Sequence, residues 1–325
     1  MLDVCLLGTA GMQPLPNRYL SATLVRAGRG LILLDCGEGT QVPLRARGWG
    51  LRHLSTILLT HMHADHVLGL PGLLLTLANS GKGADEPLTI YGPEPLEEVV
   101  HGLLVVAPRL PYPLRLVTLT GGETVTLPDM NIEGLTVSTV LLDHAVPCLA
   151  YALQVSRAPR FDAARARALG VPLALWRRLQ HGESVDVDGR MIAPDEVRGP
   201  TRRGLRLVLA TDTRPTPELA AFLQNDGGGT DLFICDGMYG DVSEEPKRWE
   251  VQHMTFAEAA ALARDGGARR LWLTHFSPAL TDPAACRDRA ASIFPHTTVG
   301  HDGLTETLSF EDESEVDSRK FTQLQ

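Results

Sequence analysis

One stretch constrains this chain more than any other: Thr60-His61-Met62-His63-Ala64-Asp65-His66, set directly behind the apolar run 56–59. A short apolar run bounded by polar punctuation reads as a buried strand. The donors His61, His63, Asp65 and His66 then sit on the loop at its C-terminal end, the edge where open α/β sheets place their sites. Side-chain alternation along an extended segment puts His61 and His63 on the same side. Nitrogen and oxygen donors gathered this tightly suit a borderline divalent ion such as zinc better than calcium or magnesium, which take oxygen ligands. The competing reading, a loop of solvated histidines, gives no reason for such residues to cluster.

The remaining pattern is that of an α/β protein. Further apolar runs at 31–34, 55–59, 205–210 and 270–273 alternate with helical patterns at 94–106, 216–224 and 255–264, the last opened by a Thr255/Glu258 capping box. Sheets with helices outside are the layered solution to such a pattern. With 325 residues, 44% hydrophobic and 21% charged, the chain can bury a large core. No apolar run approaches the roughly 20 residues of a membrane helix. The N-terminus reads as a strand entering a turn at Gly8 rather than as a basic, cleavable signal segment, so a cytoplasmic location is expected. Cys5, Cys36, Cys148, Cys235 and Cys286 form no C-x-x-C pair, which points to reduced, mostly buried thiols rather than a disulfide framework or a thiolate zinc site.

A formal net charge of −9 argues against a surface that binds nucleic acid everywhere, but leaves room for a local basic patch. Segment 156–206 is such a patch. Its arginines, among them Arg165, Arg167, Arg177 and Arg178, outnumber its acidic residues, and it interrupts the strand pattern with a helical stretch and a Gly/Pro-punctuated return. We read 156–203 as an inserted arm within a domain formed by 1–155 and 204–310. A solvated helical face is the bland alternative. Gly227-Gly228-Gly229 has no strand-to-helix phosphate motif around it and reads as a flexible turn. The tail 311–325, with Glu313, Glu315 and Asp317, reads as frayed and acidic.

The H-x-H-x-D-H loop resembles the signature of the metallo-β-lactamase superfamily, which implies an αββα four-layer sandwich and further ligands downstream. Residues of the right type stand there: His144 in Leu142-Asp143-His144, Asp212 in Thr211-Asp212-Thr213 and His275 in Leu273-Thr274-His275, each behind a strand-like run. A lone strand-end histidine is more often structural than a ligand; the resemblance and the order of the set reverse that expectation. It implies His61, His63 and His144 around one metal, Asp65, His66 and His275 around a second, and Asp212 bridging them. Two such ions bring the pKa of a shared water to roughly 7, against 15.7 in bulk. Asp65 could also orient that water or take its proton.

Several segments narrow the resemblance to the ribonuclease Z family: Leu7-Gly8-Thr9-Ala10-Gly11, Asp35-Cys36-Gly37-Glu38-Gly39-Thr40-Gln41, Gly69-Leu70-Pro71-Gly72-Leu73-Leu74 and Tyr91-Gly92-Pro93. By that resemblance His253, in Val251-Gln252-His253-Met254-Thr255, is the general acid and Asp236 the neighbour that holds its tautomer. Capping of the helix that begins at Thr255 is the structural alternative for His253. The arm falls where this family inserts its substrate arm, which makes Arg165, Arg167, Arg177 and Arg178 candidate RNA contacts. The chain departs from the familiar pattern in lacking a Gly-Pro pair at Gly170-Val171-Pro172. It also carries Cys235-Asp236-Gly237-Met238 where His-Glu-Ala-Thr is usual, and Thr211 where Gly is usual.

The resemblance thus implies a zinc-dependent endoribonuclease that removes the 3′ trailer of precursor transfer RNA. It implies two zinc ions per chain, with manganese or iron also compatible with these ligands, and a homodimer. Two other readings compete: a dinuclear phosphodiesterase or esterase of the same fold acting on a small substrate, and a non-catalytic RNA-binding protein.

Overall fold

Two seven-stranded sheets carry the apolar runs. The structure is a computed structural model and describes residues 1–127, 130, 132–240 and 252–310; Val251 and the tail 311–325 lie outside the described residues. The first sheet runs β1 (Leu2–Gly8), β2 (Ala22–Ala27), β3 (Gly30–Leu34), β4 (Leu54–Leu58), β5 (Leu88–Gly92) and β6 (Leu114–Thr118) side by side. Pairing is antiparallel from β1 to β3 and parallel from β3 to β6. The second sheet opens with antiparallel β7 (Thr124–Thr126), β8 (Leu135–Leu141) and β9 (Leu149–Arg157). After the small hairpin β10 (Val185–Val187) and β11 (Arg190–Ile192) it continues with β12 (Arg202–Ala210) and then β13 (Leu232–Asp236), β14 (Leu271–Thr274) and β15 (Thr297–Val299) in parallel. β16 (Thr305–Leu308) returns to the first sheet beside β1.

Three apolar layers hold the two sheets and their helices together. Val4, Leu6, Val25, Ile32 and Leu58 of the first sheet pack against Val137, Tyr151, Leu207, Ile234 and Trp272 of the second. On the outer face of the first sheet, Cys5, Leu24, Leu33, Ile57 and Ile90 meet α1 (Gln41–Arg47), α3 (Leu70–Asn79) and α4 (Leu96–Leu103); α2 (Ala64–Val67) precedes them in the metal loop. Strands buried on both faces read as continuous rather than alternating apolar runs, which is why those runs stood out.

Residues 156–204 form a compact unit of their own. It contains α5 (Ala163–Ala168), α6 (Leu173–Gln180) and the β10–β11 hairpin around Ala166, Val171, Leu179, Val185, Ile192 and Val197. Asp162 caps α5 by accepting from Arg165 N at 2.9 Å. Beyond it, α7 (Pro217–Gln224), α8 (Phe256–Asp265) and α9 (Arg287–Ile293) cover the outer face of the second sheet through Leu219, Phe256, Ala259, Ala260 and Ala290. The fold is therefore the expected αββα sandwich.

Local signals explain most boundaries. Thr216 caps α7 by accepting from Leu219 N, and Thr255 and Glu258 form the predicted reciprocal box at the start of α8. The stretch read as one helix over 94–106 divides into α4 and a 3-10 turn over Leu104–Val106. Val105 and Val106 are exposed there, and Pro108 disfavours helical backbone before it. Gly227 and Gly229 do form a turn, with φ of +89° and +67°.

The metal loop sits in a tightly closed joint. A Cβ built on Gly69 would stand 2.1 Å from the carbonyl oxygen of Gly37, whereas one on Gly83 meets nothing within 4 Å. Gly69→Ala is therefore expected to lower the free energy of unfolding by more than about 1 kcal/mol and Gly83→Ala by less than half of that. Urea denaturation followed by circular dichroism measures both.

Candidate metal centre

The ends of four strands from two sheets deliver the donors to one place. His61 and His63 follow β4, and Asp65 and His66 lie on the single turn of α2. His144 lies in the turn from β8 to β9, Asp212 just beyond β12 and His275 directly after β14. Ligand atoms of His61, His63, His144 and Asp212 all lie within 4.8 Å of one another, and so do those of Asp65, His66 and His275. His63 Nδ1 stands 3.2 Å from His144 Nε2, and His66 Nε2 stands 3.2 Å from His275 Nε2.

Asp212 is shared between the groups. Its Oδ2 faces His61 Nε2 at 3.7 Å and His144 Nε2 at 4.0 Å. Its Oδ1 faces His275 Nε2 at 3.2 Å and His66 Nε2 at 3.3 Å. One oxygen to each group is the placement a bridging carboxylate requires. His61, His66 and His275 are fully buried and Asp212 is nearly so. Yet among the described residues His61 Nε2 and Asp212 Oδ1 are buried without a hydrogen-bond partner of acceptable geometry. Buried polar atoms left this way are costly unless something else satisfies them. Two divalent ions would, and the nitrogen and oxygen donor set fits them.

The buried charges bias one another. Burial dominates at His61 and His144, pushing the first well below the usual imidazole range and the second down to about 4. At His66 and His275 burial acts the same way, but the Asp212 carboxylate outweighs it, lifting His66 well above its ordinary value with help from Asp35 and His275 to about 10. Burial would raise Asp212, but the surrounding imidazoles, His275 first, hold it well below the carboxylate range. Protons on these imidazoles compete with metal, since a histidine ligand must be neutral.

Asp35 has a part that sequence reasoning missed. In the sequence it is only the first residue of a family segment, but its Oδ2 lies 2.9 Å from His66 Nδ1 while its Oδ1 accepts from Thr60 N at 2.8 Å and from Thr60 Oγ1 at 3.0 Å. It thereby fixes the ring that offers Nε2 to the centre. An acid at the end of an apolar run, next in space to the metal strand, was the available signal. Asp35, Asp212 and His275 hold φ of +59°, +53° and +60°. Such left-handed backbone at non-glycine residues costs roughly 1–3 kcal/mol each and gathers at sites where geometry is imposed by function. Met12 N donates to Asp65 Oδ2 at 2.7 Å, orienting the one carboxylate among the loop donors.

His253 stands beside the cage, with a ring nitrogen within 4.8 Å of ligand atoms of Asp212 and His275, rather than capping α8, a task that Thr255 performs. Its Nε2 is 3.8 Å from Asp212 Oδ2, and its Nδ1 is 2.7 Å from Asp236 Oδ2. The short Asp236 side chain reaches because it leaves the end of β13, one strand from His275. Burial opposes protonation of His253, but Asp236 and then Asp212 overcome it and raise its pKa.

Residues 16–145 match the metallo-beta-lactamase superfamily. A ribonuclease Z of Lachnospira eligens is 43% identical over 313 residues, covering 96% of this chain and 100% of that protein. One of Clostridium kluyveri is 45% identical over 312 residues, covering 96% and 100%. This chain belongs to the ribonuclease Z family. Among solved structures, the short form of human tRNase Z superposes with a TM-score of 0.66 at 22% identity, covering 95% of this chain and 100% of that one. The metallo-beta-lactamase fold protein YhfI of Bacillus subtilis gives 0.65 at 19%, covering 94% and 98%. These two likenesses carry the fold.

In the inserted unit, Arg165 and Arg167 lie on α5 and Arg177 and Arg178 on α6, all exposed. Arg178 pairs with Glu183 at 2.8 Å, and the Arg167 guanidinium lies 5.3 Å from the Trp176 ring centre.

Asp35→Asn keeps the size of the side chain but weakens its hold on His66. It is expected to reduce metal affinity about tenfold to a hundredfold, measured by competition with a chromophoric chelator.

Proposed function

We propose that the chain is a two-metal endoribonuclease that removes the 3′ trailer from precursor transfer RNA, leaving a 3′-hydroxyl on the RNA body. The observation that carries this reading is the His253–Asp236 pair set beside a cage whose bridging carboxylate faces both ligand groups. The family membership supports the substrate.

His61, His63, His144 and Asp212 Oδ2 would hold one ion; Asp65, His66, His275 and Asp212 Oδ1 would hold the other. When bound, such ions bring the pKa of a shared water near neutrality and stabilise charge gathering on phosphate oxygens. Zinc is the ion we favour for this donor set, with manganese or iron as compatible alternatives. Asp65, whose carboxylate is held ionised chiefly by its bond to His275 against the effect of burial, orients the attacking water or takes its proton. Water adds to phosphorus and the P–O3′ bond breaks. His253, with Nδ1 held by Asp236, gives the proton on Nε2 to the departing 3′-oxygen, and the 5′-phosphate stays on the trailer. The exposed arginines of the inserted unit are assigned to the RNA backbone, where shape and phosphate count for more than sequence.

A cytoplasmic homodimer belongs to the same reading. Among the described residues no helix is long and apolar enough to cross a membrane. Val42 on α1, Leu75 on α3 and Leu68 just before it are exposed at 52%, 39% and 46%, and α1 packs against α3. Large exposed apolar side chains on adjoining helices are the kind of surface that a second copy covers.

The decisive experiment incubates the metal-loaded protein with a precursor transfer RNA and maps cleavage at nucleotide resolution. A cut at the 3′ boundary is expected, and its absence overturns the substrate. His63→Ala is expected to lower turnover at least about a thousandfold with the fold retained by circular dichroism; full activity would sink the mechanism. Removal of 156–203 is expected to abolish RNA cleavage while hydrolysis of bis(p-nitrophenyl) phosphate persists. Equal activity on RNA with and without the arm would overturn its assignment to the RNA backbone.

A further inference from the structure

The reacting groups come from separate loops, and one side chain outside the ligand set ties three of those loops together. Asp143 stands beside His144 in the turn between β8 and β9. Its Oδ2 accepts from Arg214 Nε at 2.9 Å and lies 2.6 Å from Nη2, two residues beyond Asp212. Its Oδ1 accepts from Gln252 Nε2 at 2.8 Å, directly before His253. Its backbone N–H donates to Thr213 Oγ1 at 3.3 Å, and that hydroxyl donates to the Arg214 carbonyl at 2.9 Å. The two carboxylate oxygens therefore go to different loops, one carrying the bridging carboxylate and one carrying the general acid.

The arrangement matters because a bond at one ring nitrogen does not place a ring by itself. Asp236 sets the rotation of the His253 imidazole through Nδ1, but the ring still travels with its backbone. That backbone follows Gln252, whose φ of +59° is one that side chains other than glycine rarely adopt. Surroundings must hold it there, and its side-chain amide donates to Asp143.

We infer that Asp143 is a positioning residue: through Gln252 it holds the backbone of His253, and through Arg214 and Thr213 it locks that loop to the one carrying Asp212. The inference rests on the reading of His253 as the general acid. It has a consequence that a merely structural role lacks. An alkoxide such as the ribose 3′-oxygen departs slowly without a proton, whereas p-nitrophenolate is a stable anion that needs none. Loosening His253 must therefore slow RNA cleavage more than hydrolysis of an aryl phosphodiester. Damage to the metal cage would slow both together.

The test uses the metal-loaded full chain. It measures kcat on a precursor transfer RNA and on bis(p-nitrophenyl) phosphate for the unaltered protein, Asp143→Ala, Gln252→Ala and the double variant, with metal content determined for each. The expected result is a fall of about tenfold or more in the ratio of RNA to aryl-ester turnover for each single variant. The double variant should be no worse than the worse single one, because both cut the same link. An unchanged ratio, or losses that add, overturns the inference. Gln252→Ala removes the link from the other side and decides the matter even where Asp143→Ala does not fold. His253→Ala, run alongside, separates the two readings. If it leaves the ratio unchanged, the general-acid assignment fails and this inference with it; if it lowers the ratio where Asp143→Ala and Gln252→Ala do not, the inference alone falls.

Discussion

The structure turns on the Asp212 carboxylate, which presents one oxygen to His61 and His144 and the other to His66 and His275. Those imidazoles come from both sheets. The carboxylate can sit between them only if the C-terminal edges of β4 and β12 are held close, and the apolar layer between the sheets does that holding. Non-directional burial thus sets up a directional site, as dense packing lets a core transmit geometry. Removing so many polar groups from water is unfavourable, and mutual pairing offsets it. The same low-dielectric surroundings sharpen every charge effect: neighbouring histidines diverge, with His61 pushed down and His66 lifted.

Around this centre three of the imidazoles have a polar group behind them. Asp35 stands behind His66, Thr60 lies 3.1 Å from His61 Nδ1, and Asp236 stands behind His253. These partners fix tautomer and ring direction, so that the nitrogens facing the centre are presented rather than found by chance. Left-handed backbone at Asp35, Asp212 and His275 belongs to the same design. Strain of this kind persists only where the surroundings over-determine it, and here three strand ends are pinned at once. His253 follows the same logic: with Nδ1 at Asp236, its Nε2 is turned toward Asp212 Oδ2 at 3.8 Å.

Much of this is legible in the sequence. The α/β class, with helices outside its sheets, followed from continuous apolar runs alternating with helical patterns, because strands buried on both faces have no polar alternation to hide behind; the four-layer sandwich came only with the family resemblance. The capping box at Thr255 was legible because its two bonds lie within four residues. The loop donors stood out for the same local reason. His144, Asp212 and His275 were individually ambiguous, and only a family resemblance singled them out. The helix read over 94–106 broke at Leu104 because tertiary burial, which sequence periodicity cannot weigh, does not reach Val105 and Val106.

What the sequence determined by itself is whatever depends on near neighbours along the chain: the strand types, the caps, the identity of the donors at 61–66 and the basic composition of 156–206. What only the tertiary structure decided is whatever depends on residues far apart. It sent the two oxygens of Asp212 to different imidazole groups, brought Asp35 to His66 across 31 positions and let the short Asp236 reach His253 across 17. It also made Asp143 a junction between loops 71 and 109 residues away. The physical reason is that hydrogen bonds and metal cages are set to tenths of an ångström by packing, and packing between distant segments leaves no periodic trace in the chain.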